Sequence, residues 1–232
     1  MSNKQPKARV LAYYLPQFHP IPENDLWWGK GFTEWTNVGK AKPLFPGHYQ
    51  PRVPADLGYY DLRVPETRKA QADMAREYGV EGFVYWHYWF GNGKRLLERP
   101  FNEVLALGEP DFPFALAWAN ETWSGTLHGL VKGHTLIEQT YPGDEDYIAH
   151  FNAVLPAFKD KRYITCDDKP IFLIYKFDKI PDSIKDELHI ICVLFTEEVG
   201  GIITLAFDEE GTLLIETNAA DDDFYYDNRK VA

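Results

Sequence analysis

The sequence predicts an α/β fold, the first half of a (β/α)8 barrel of parallel strands and crossover helices, followed by a small antiparallel β meander. Three observations predict it. Strand-like and helix-like stretches alternate from residue 9 to 177, and such alternation implies a parallel sheet with right-handed crossovers. Aromatic and polar residues collect where the strand-like runs stop, which is where a barrel carries its functional loops. Composition then breaks near residue 182. Residues 183–232 carry a charge of −9 and residues 1–182 only −2, and all 7 Trp and all 16 Pro precede Ser183. The break divides the chain into a barrel-like part, 1–182, and an acidic part, 183–232.

Each element follows from local pattern. RVLAYYL (9–15) is a β-branched and aromatic run that stops at Pro16. Residues 16–65, with Pro, Gly and Trp recurring, read as one long loop, a length that usually signals function. From Pro65 to Tyr78 a helix is expected, with Pro65 in its first turn, Glu66 near the positive end and Ala70, Met74 and Tyr78 at four-residue spacing before Gly79. VEGFVYWHYW (80–89) is the second strand, a helix follows around Leu96–Leu107, and PFALAWAN (113–120) is the third strand. A helix over Glu145–Phe158 places Ile148, Phe151, Val154, Leu155 and Phe158 on one face. KPIFLIYKF (169–177) reads as a continuous, doubly buried fourth strand. In the acidic part, HIICVLF (189–195), GIITLAF (201–207) and TLLIETN (212–218) are short strands joined by Gly-containing acidic turns, the pattern of hairpins. The junction falls near Pro181–Ser183.

Composition narrows the function. No apolar run approaches the roughly 18 residues a membrane helix needs, and MSNKQPKARV does not lead into a secretory cleavage site. Cys166 and Cys192 lack CxxC or metal spacing, which suits a reducing, cytoplasmic setting. Neither part is basic, so nucleic acid is not an expected partner. Nucleotide-cradle and zincin motifs are missing, and no metal or cofactor is expected. Asp221, Asp222 and Asp223 lack alternating calcium-ligand spacing and read as a solvated face.

Barrel logic selects Gln17 and His19 after the first strand, His87, Tyr88 and Trp89 at the end of the second, Asn120, Glu121 and Trp123 after the third, and Tyr175 with Lys176 on the fourth. Tyr14 on the first strand and Trp35 in the long loop complete the set of expected substrate contacts. Flat rings that stack on a pyranose, with amides, imidazoles and a carboxylate that bond its hydroxyls, make a sugar site. Each residue has a plainer alternative. Tyr13, Tyr14, Tyr85 and Trp86 alternate within strands, so about half of them should fill core. His19 could bond loop backbone, and Glu34 could cap a helix. Glycoside chemistry needs two carboxylates. Glu121, between two Trp, is the best single acid, Glu34 the second candidate, and the sequence does not establish them as a pair.

The segments YYLPQFHPIPENDLWWGKGFTEWTNV (13–38), HYQPRVPADLGYYDL (48–62), GVEGFVYWHYWF (79–90), LAWANETW (116–123) and KPIFLIYKFDKIPD (169–182) together resemble the WbsX family of glycosyltransferases of bacterial polysaccharide biosynthesis, which is related to the family 99 glycoside hydrolase barrels. The resemblance covers about residues 8–182 and leaves the tail unrecognised. It implies a (β/α)8 barrel acting on a mannose-type or O-antigen-type glycan, by transfer or hydrolysis. It also implies sugar-contact roles for the loop and strand-end residues named above. The family's late glutamate pair, in a segment like NEWxEG, does not occur here, so no catalytic residue transfers. Two readings therefore stand: a carbohydrate-active enzyme, or a catalytically incomplete sugar-binding fragment fused to an acidic interaction module. Open sheet edges also predict self-association.

Overall fold

The computed structural model describes residues 9–125, 135–166 and 169–181, and the backbone of three strands at 192–196, 201–207 and 213–217. By contacts the chain forms two compact units: residues 1–85 with 97–114, and residues 86–96 with 115–232. The expected junction at 181–183 runs into residues 182–191, outside the described residues, as do the acidic turns of the tail and Asp221–Asp223.

In the first unit, β1 (Leu11–Tyr14) pairs in parallel with β2 (Gly82–His87), from Leu11 opposite Gly82 to Tyr14 opposite Tyr85. The expected loop 16–65 holds two short helices, α1 (Pro22–Trp28) and α2 (Glu34–Lys40). Proline opens α1. Thr33 caps α2: its Oγ1 accepts from the Trp35 N–H at 3.2 Å while its own N–H reaches Thr36 Oγ1 at 3.2 Å. These helices escape the sequence pattern because each is only two turns long. α3 (Pro65–Glu77) and α4 (Arg99–Leu107) follow, with Pro at the start of each and a left-handed Gly108 ending α4. α3 buries Arg68 and Ala72, whereas Tyr78 is exposed. The inward line is thus shifted from Ala70–Met74–Tyr78. Arg68 tolerates burial because its Nη1 donates to the Leu62 carbonyl at 2.6 Å and to Glu103 at 2.9 Å.

In the second unit, β3 (Phe114–Trp118) pairs in parallel with β8 (Phe172–Ile174), Leu116 opposite Phe172 and Trp118 opposite Ile174. The strand order β1-β2-β3-β8 follows chain order, as in the opening half of a (β/α)8 barrel. A short antiparallel strand pair, β4 (Trp123–Ser124) with β5 (Thr135–Ile137), precedes α5 (Asp144–Phe158). KPIFLIYKF is not one strand. Lys169–Pro170 forms β7 and turns back on β6 (Thr165–Cys166), leaving β8 three residues long. The buried line of α5 is His150, Val154 and Ala157, while Ile148 and Phe151 are 60% and 52% exposed. Apolar periodicity misplaced this face because it counted His150 as polar. The tail strands β9 (Cys192–Thr196), β10 (Gly201–Phe207) and β11 (Leu213–Thr217) form the expected antiparallel meander in the order β11-β10-β9.

Candidate functional site

Side chains alternate across a strand, so the ring contacts show which face each residue occupies. On β2, Tyr85 meets Phe101 of α4 at 5.2 Å and His87 meets His150 of α5, which puts both on the helix side. Trp86 therefore faces the other way and is half-buried. On β3, Trp118 lies edge-on to His150 at 4.8 Å, so Ala117 and Ala119 share the face opposite the helix. On β8, Phe172 packs against His150 and Phe158, and Tyr175, one residue past the strand, points away from them. The Tyr175 N–H still donates to the Trp118 carbonyl at 3.0 Å, so it keeps the strand register.

Beyond these strand ends lies a polar cavity of about 350 Å³, at the small end of ligand pockets, lined by Asn120, Glu121, Thr122, Gln139, Tyr141, Lys176 and Lys179. Buried Asn120 organises it. Its Nδ2 donates to the Lys176 carbonyl at 2.8 Å and to the Tyr141 hydroxyl at 3.0 Å, and its Oδ1 accepts from the Lys176 N–H at 2.7 Å. Both amide protons are spent on the protein, so Asn120 positions its neighbours and has little left for a ligand. Because Tyr141 accepts from Asn120, its own proton remains for a ligand; partial burial raises its pKa and keeps the phenol protonated. Thr122 Oγ1 accepts from the Gln139 N–H at 3.0 Å, which leaves its hydroxyl proton in the same position. Gln139 Oε1 has no hydrogen-bond partner among the described residues. Glu121 lies 3.5 Å from Lys176 Nζ, which also sits 4.7 Å above the Tyr175 ring.

The other expected contacts of this unit are placed differently. His87 is buried, and its Nε2 lies 2.8 Å from His150 Nε2, so one imidazole donates and the other accepts. Burial lowers the His87 pKa well below its ordinary value, and nearby His150 and Arg95 add to the shift. Burial also takes His150 down to about 4, opposed by Asp146. Buried Trp89 stacks on His150 at 4.7 Å and donates its Nε1 to Asp146 at 2.9 Å. Tyr88, buried, joins Phe90 and half-buried Trp123 in an aromatic cluster. His87, Tyr88 and Trp89 are thus buried against neighbouring rings in this structure. The aromatic run 83–90 concealed this, because both of its faces carry rings and sequence alone leaves the phase open.

In the first unit, Tyr14 is buried and donates to Gln71 at 2.5 Å. His19 is buried, and its Nδ1 donates to the Pro16 carbonyl at 2.6 Å. Burial lowers its pKa, with the Pro16 carbonyl opposing. Gln17 is half-buried and takes the Glu34 N–H on its carbonyl at 3.2 Å. Half-buried Trp35 donates Nε1 to the Tyr60 carbonyl at 2.8 Å and packs among Phe18, Tyr59 and Tyr60. Glu34 opens α2 and accepts from Asn37 at 3.3 Å.

Gln139, Tyr141 and Lys179 line the cavity from loops without a motif, which gives the sequence no signal for them, and strand alternation leaves open whether Trp86 fills core. No group of three or more His, Cys, Asp or Glu able to hold a metal is assembled among the described residues, and no helix among them is long and apolar enough to cross a membrane.

The chain is 47% identical over 181 residues to a protein described as uncharacterized protein WxcX in Xanthomonas campestris pv. campestris, in strains B100 and ATCC 33913. The match covers 77% of this chain and 25% of each relative, so the chain spans about a quarter of the length of these curated relatives. Among solved structures, a GH99 endo-alpha-mannosidase of Bacteroides thetaiotaomicron in complex with bis-tris-propane is 14% identical with a TM-score of 0.46, over 78% of this chain and 46% of that one. Another structure of a GH99 endo-alpha-mannosidase from that organism is 13% identical with a TM-score of 0.39, over 73% of this chain and 46% of that one. The family model described as Glycosyltransferase WbsX matches residues 10–224, carrying the likeness past residue 182 and through most of the acidic tail. On that match, across nearly the whole sequence, the chain belongs to the WbsX glycosyltransferase family.

Proposed function

We propose that the chain binds a glycan of the mannose or O-antigen type at the cavity beyond β3 and β8, within a protein that transfers or hydrolyses glycosyl groups in bacterial polysaccharide metabolism. The observation that carries this reading is the polarity of that cavity. Tyr141 and Thr122 each accept a hydrogen bond from the protein and keep a hydroxyl proton, and Glu121 and Lys176 face each other at 3.5 Å. Such a mixture of donors and acceptors suits a polyol, which presents both on every hydroxyl. Family membership supports the same substrate class.

A second reading, binding without turnover, is favoured by one observation: Glu121 is the only carboxylate among the described residues lining the cavity. Glycoside cleavage ordinarily uses two. Titration calorimetry with manno-oligosaccharides, alongside sugar release from α-mannan and transfer from activated donors, separates the readings. Binding with turnover lost in Glu121→Gln supports the enzyme. Binding without turnover leaves the second reading, and absence of both overturns each. Tyr141→Phe is expected to weaken binding by about three- to tenfold, the loss of one hydrogen bond.

A further inference from the structure

We propose that Trp86 and Tyr175 form an aromatic corner on which a pyranose ring stacks, with Lys176 and Glu121 on its polar side bonding the ring's hydroxyls. The inference rests on the sugar-binding reading and adds the apolar half of the site. The corner is built by strand alternation. His87 and Trp118 turn to α5, so Trp86 and the alanines at 117 and 119 turn the other way. The Ala119 N–H donates to the His87 carbonyl at 2.9 Å, which places β3 directly beside the end of β2. With only methyl groups on β3 between them, Trp86 and Tyr175 meet above it at 5.2 Å and 77°. Both rings stay half-buried, whereas Trp89, Trp118 and Tyr88 are buried.

Two rings near a right angle offer a flat wall and a rim, the shape that receives the apolar C–H face of a sugar while leaving its hydroxyl edge to polar groups. Those groups are adjacent. Lys176 Nζ lies 4.7 Å from the Tyr175 ring centroid and 3.5 Å from Glu121, so one cavity-lining residue touches the aromatic corner on one side and the carboxylate on the other. Asn120 fixes the junction by holding both the N–H and the carbonyl of Lys176.

The test uses the full chain with an α-linked manno-oligosaccharide, reading calorimetric affinity and tryptophan fluorescence together. Trp86→Leu keeps an apolar side chain without a flat ring and is expected to weaken binding at least about tenfold. Trp86→Phe is expected to keep part of the affinity and to lose the ligand-induced fluorescence change. Trp89→Phe, at the ring stacked on His150, is expected to keep that change. Thermal melting of each variant shows that it is folded. If Trp86→Leu melts as the parent does and binds as tightly, or if Trp86→Phe keeps the fluorescence change, the aromatic corner is overturned while the sugar-binding reading stands. If the parent chain binds no sugar, the reading beneath it fails first, and the corner fails with it.

Discussion

The buried imidazole pair makes a titration measurable at single residues. His87 and His150 share one proton between their Nε2 atoms, enclosed by Trp89, Trp118 and Phe172 and flanked by Asp146 and Arg95. Both are held neutral, with His150 at about 4 in the folded chain against 6.5 when free. Below pH 6.5 the unfolded chain therefore takes up protons that the folded chain refuses, and stability falls as pH drops toward 4. For His150 the difference corresponds to roughly 3 kcal/mol, fully lost only near the lower limit. Denaturant melts at pH 7, 5.5 and 4.5 should show this decline, and His150→Phe should flatten the part due to that residue. A parent stability that stays level across this range contradicts the account. Asn120 makes a different prediction at the same scale. Its three bonds join two loops, so Asn120→Ala should lower stability by about 1–3 kcal/mol and weaken ligand binding through displacement of Lys176 and Tyr141.

Between elements, one close fit is where the turn after β2 meets the strap leading into α5. Gly91 has φ +91°, and a Cβ there would overlap both the Thr140 hydroxyl and its carbonyl oxygen. Thr140 is fixed in turn: its N–H and its hydroxyl both donate to the Phe90 carbonyl, at 3.0 and 2.9 Å. Gly91→Ala must both strain the backbone and push a paired residue aside, so a loss of about 2 kcal/mol or more is expected, where an alanine at an unstrained glycine would not destabilise. Chemical denaturation checks it, and a variant as stable as the parent removes the constraint. This contact was invisible in the sequence, where Gly91 is one residue of FGNGK. The helices α3 and α5 and the strands β1 to β3 were legible, since each carries periodic apolar residues and a marked start or stop. Their inward faces were not, because Arg68 and His150 turn inward through specific partners that hydropathy does not register. The same cause hides which strand-end residues the candidate site would use. The chain announces its aromatic and amide residues at strand ends, but whether Trp86 or His87 faces a ligand depends on packing against α5.

At the scale of the whole molecule, the sheet and the charge pull in opposite directions. β1 and β8 are the outer strands of the four-stranded sheet, and parallel edges invite pairing with another chain. Apolar surface lies beside each. Around β1, Tyr13, Leu15, Tyr60 and Met74 line an open cavity of about 560 Å³, with Tyr13 40% exposed. Around β8, Phe151, Phe158, Phe172 and Ile180 line one of about 310 Å³. Against this stands a net charge of −11, of which −9 lies in residues 183–232, and like-charged chains repel at low ionic strength. The balance makes association depend on salt: at micromolar concentration the 26.8 kDa chain should sediment as larger species, more so at 0.5 M salt than at about 0.02 M, because screening weakens the repulsion and leaves apolar attraction intact. Tyr13→Lys, which puts a charge on the exposed face of the edge strand, should shift the distribution toward monomer at both ionic strengths. A parent chain that sediments as a 26.8 kDa monomer in high salt would show that these edges are already satisfied within one molecule.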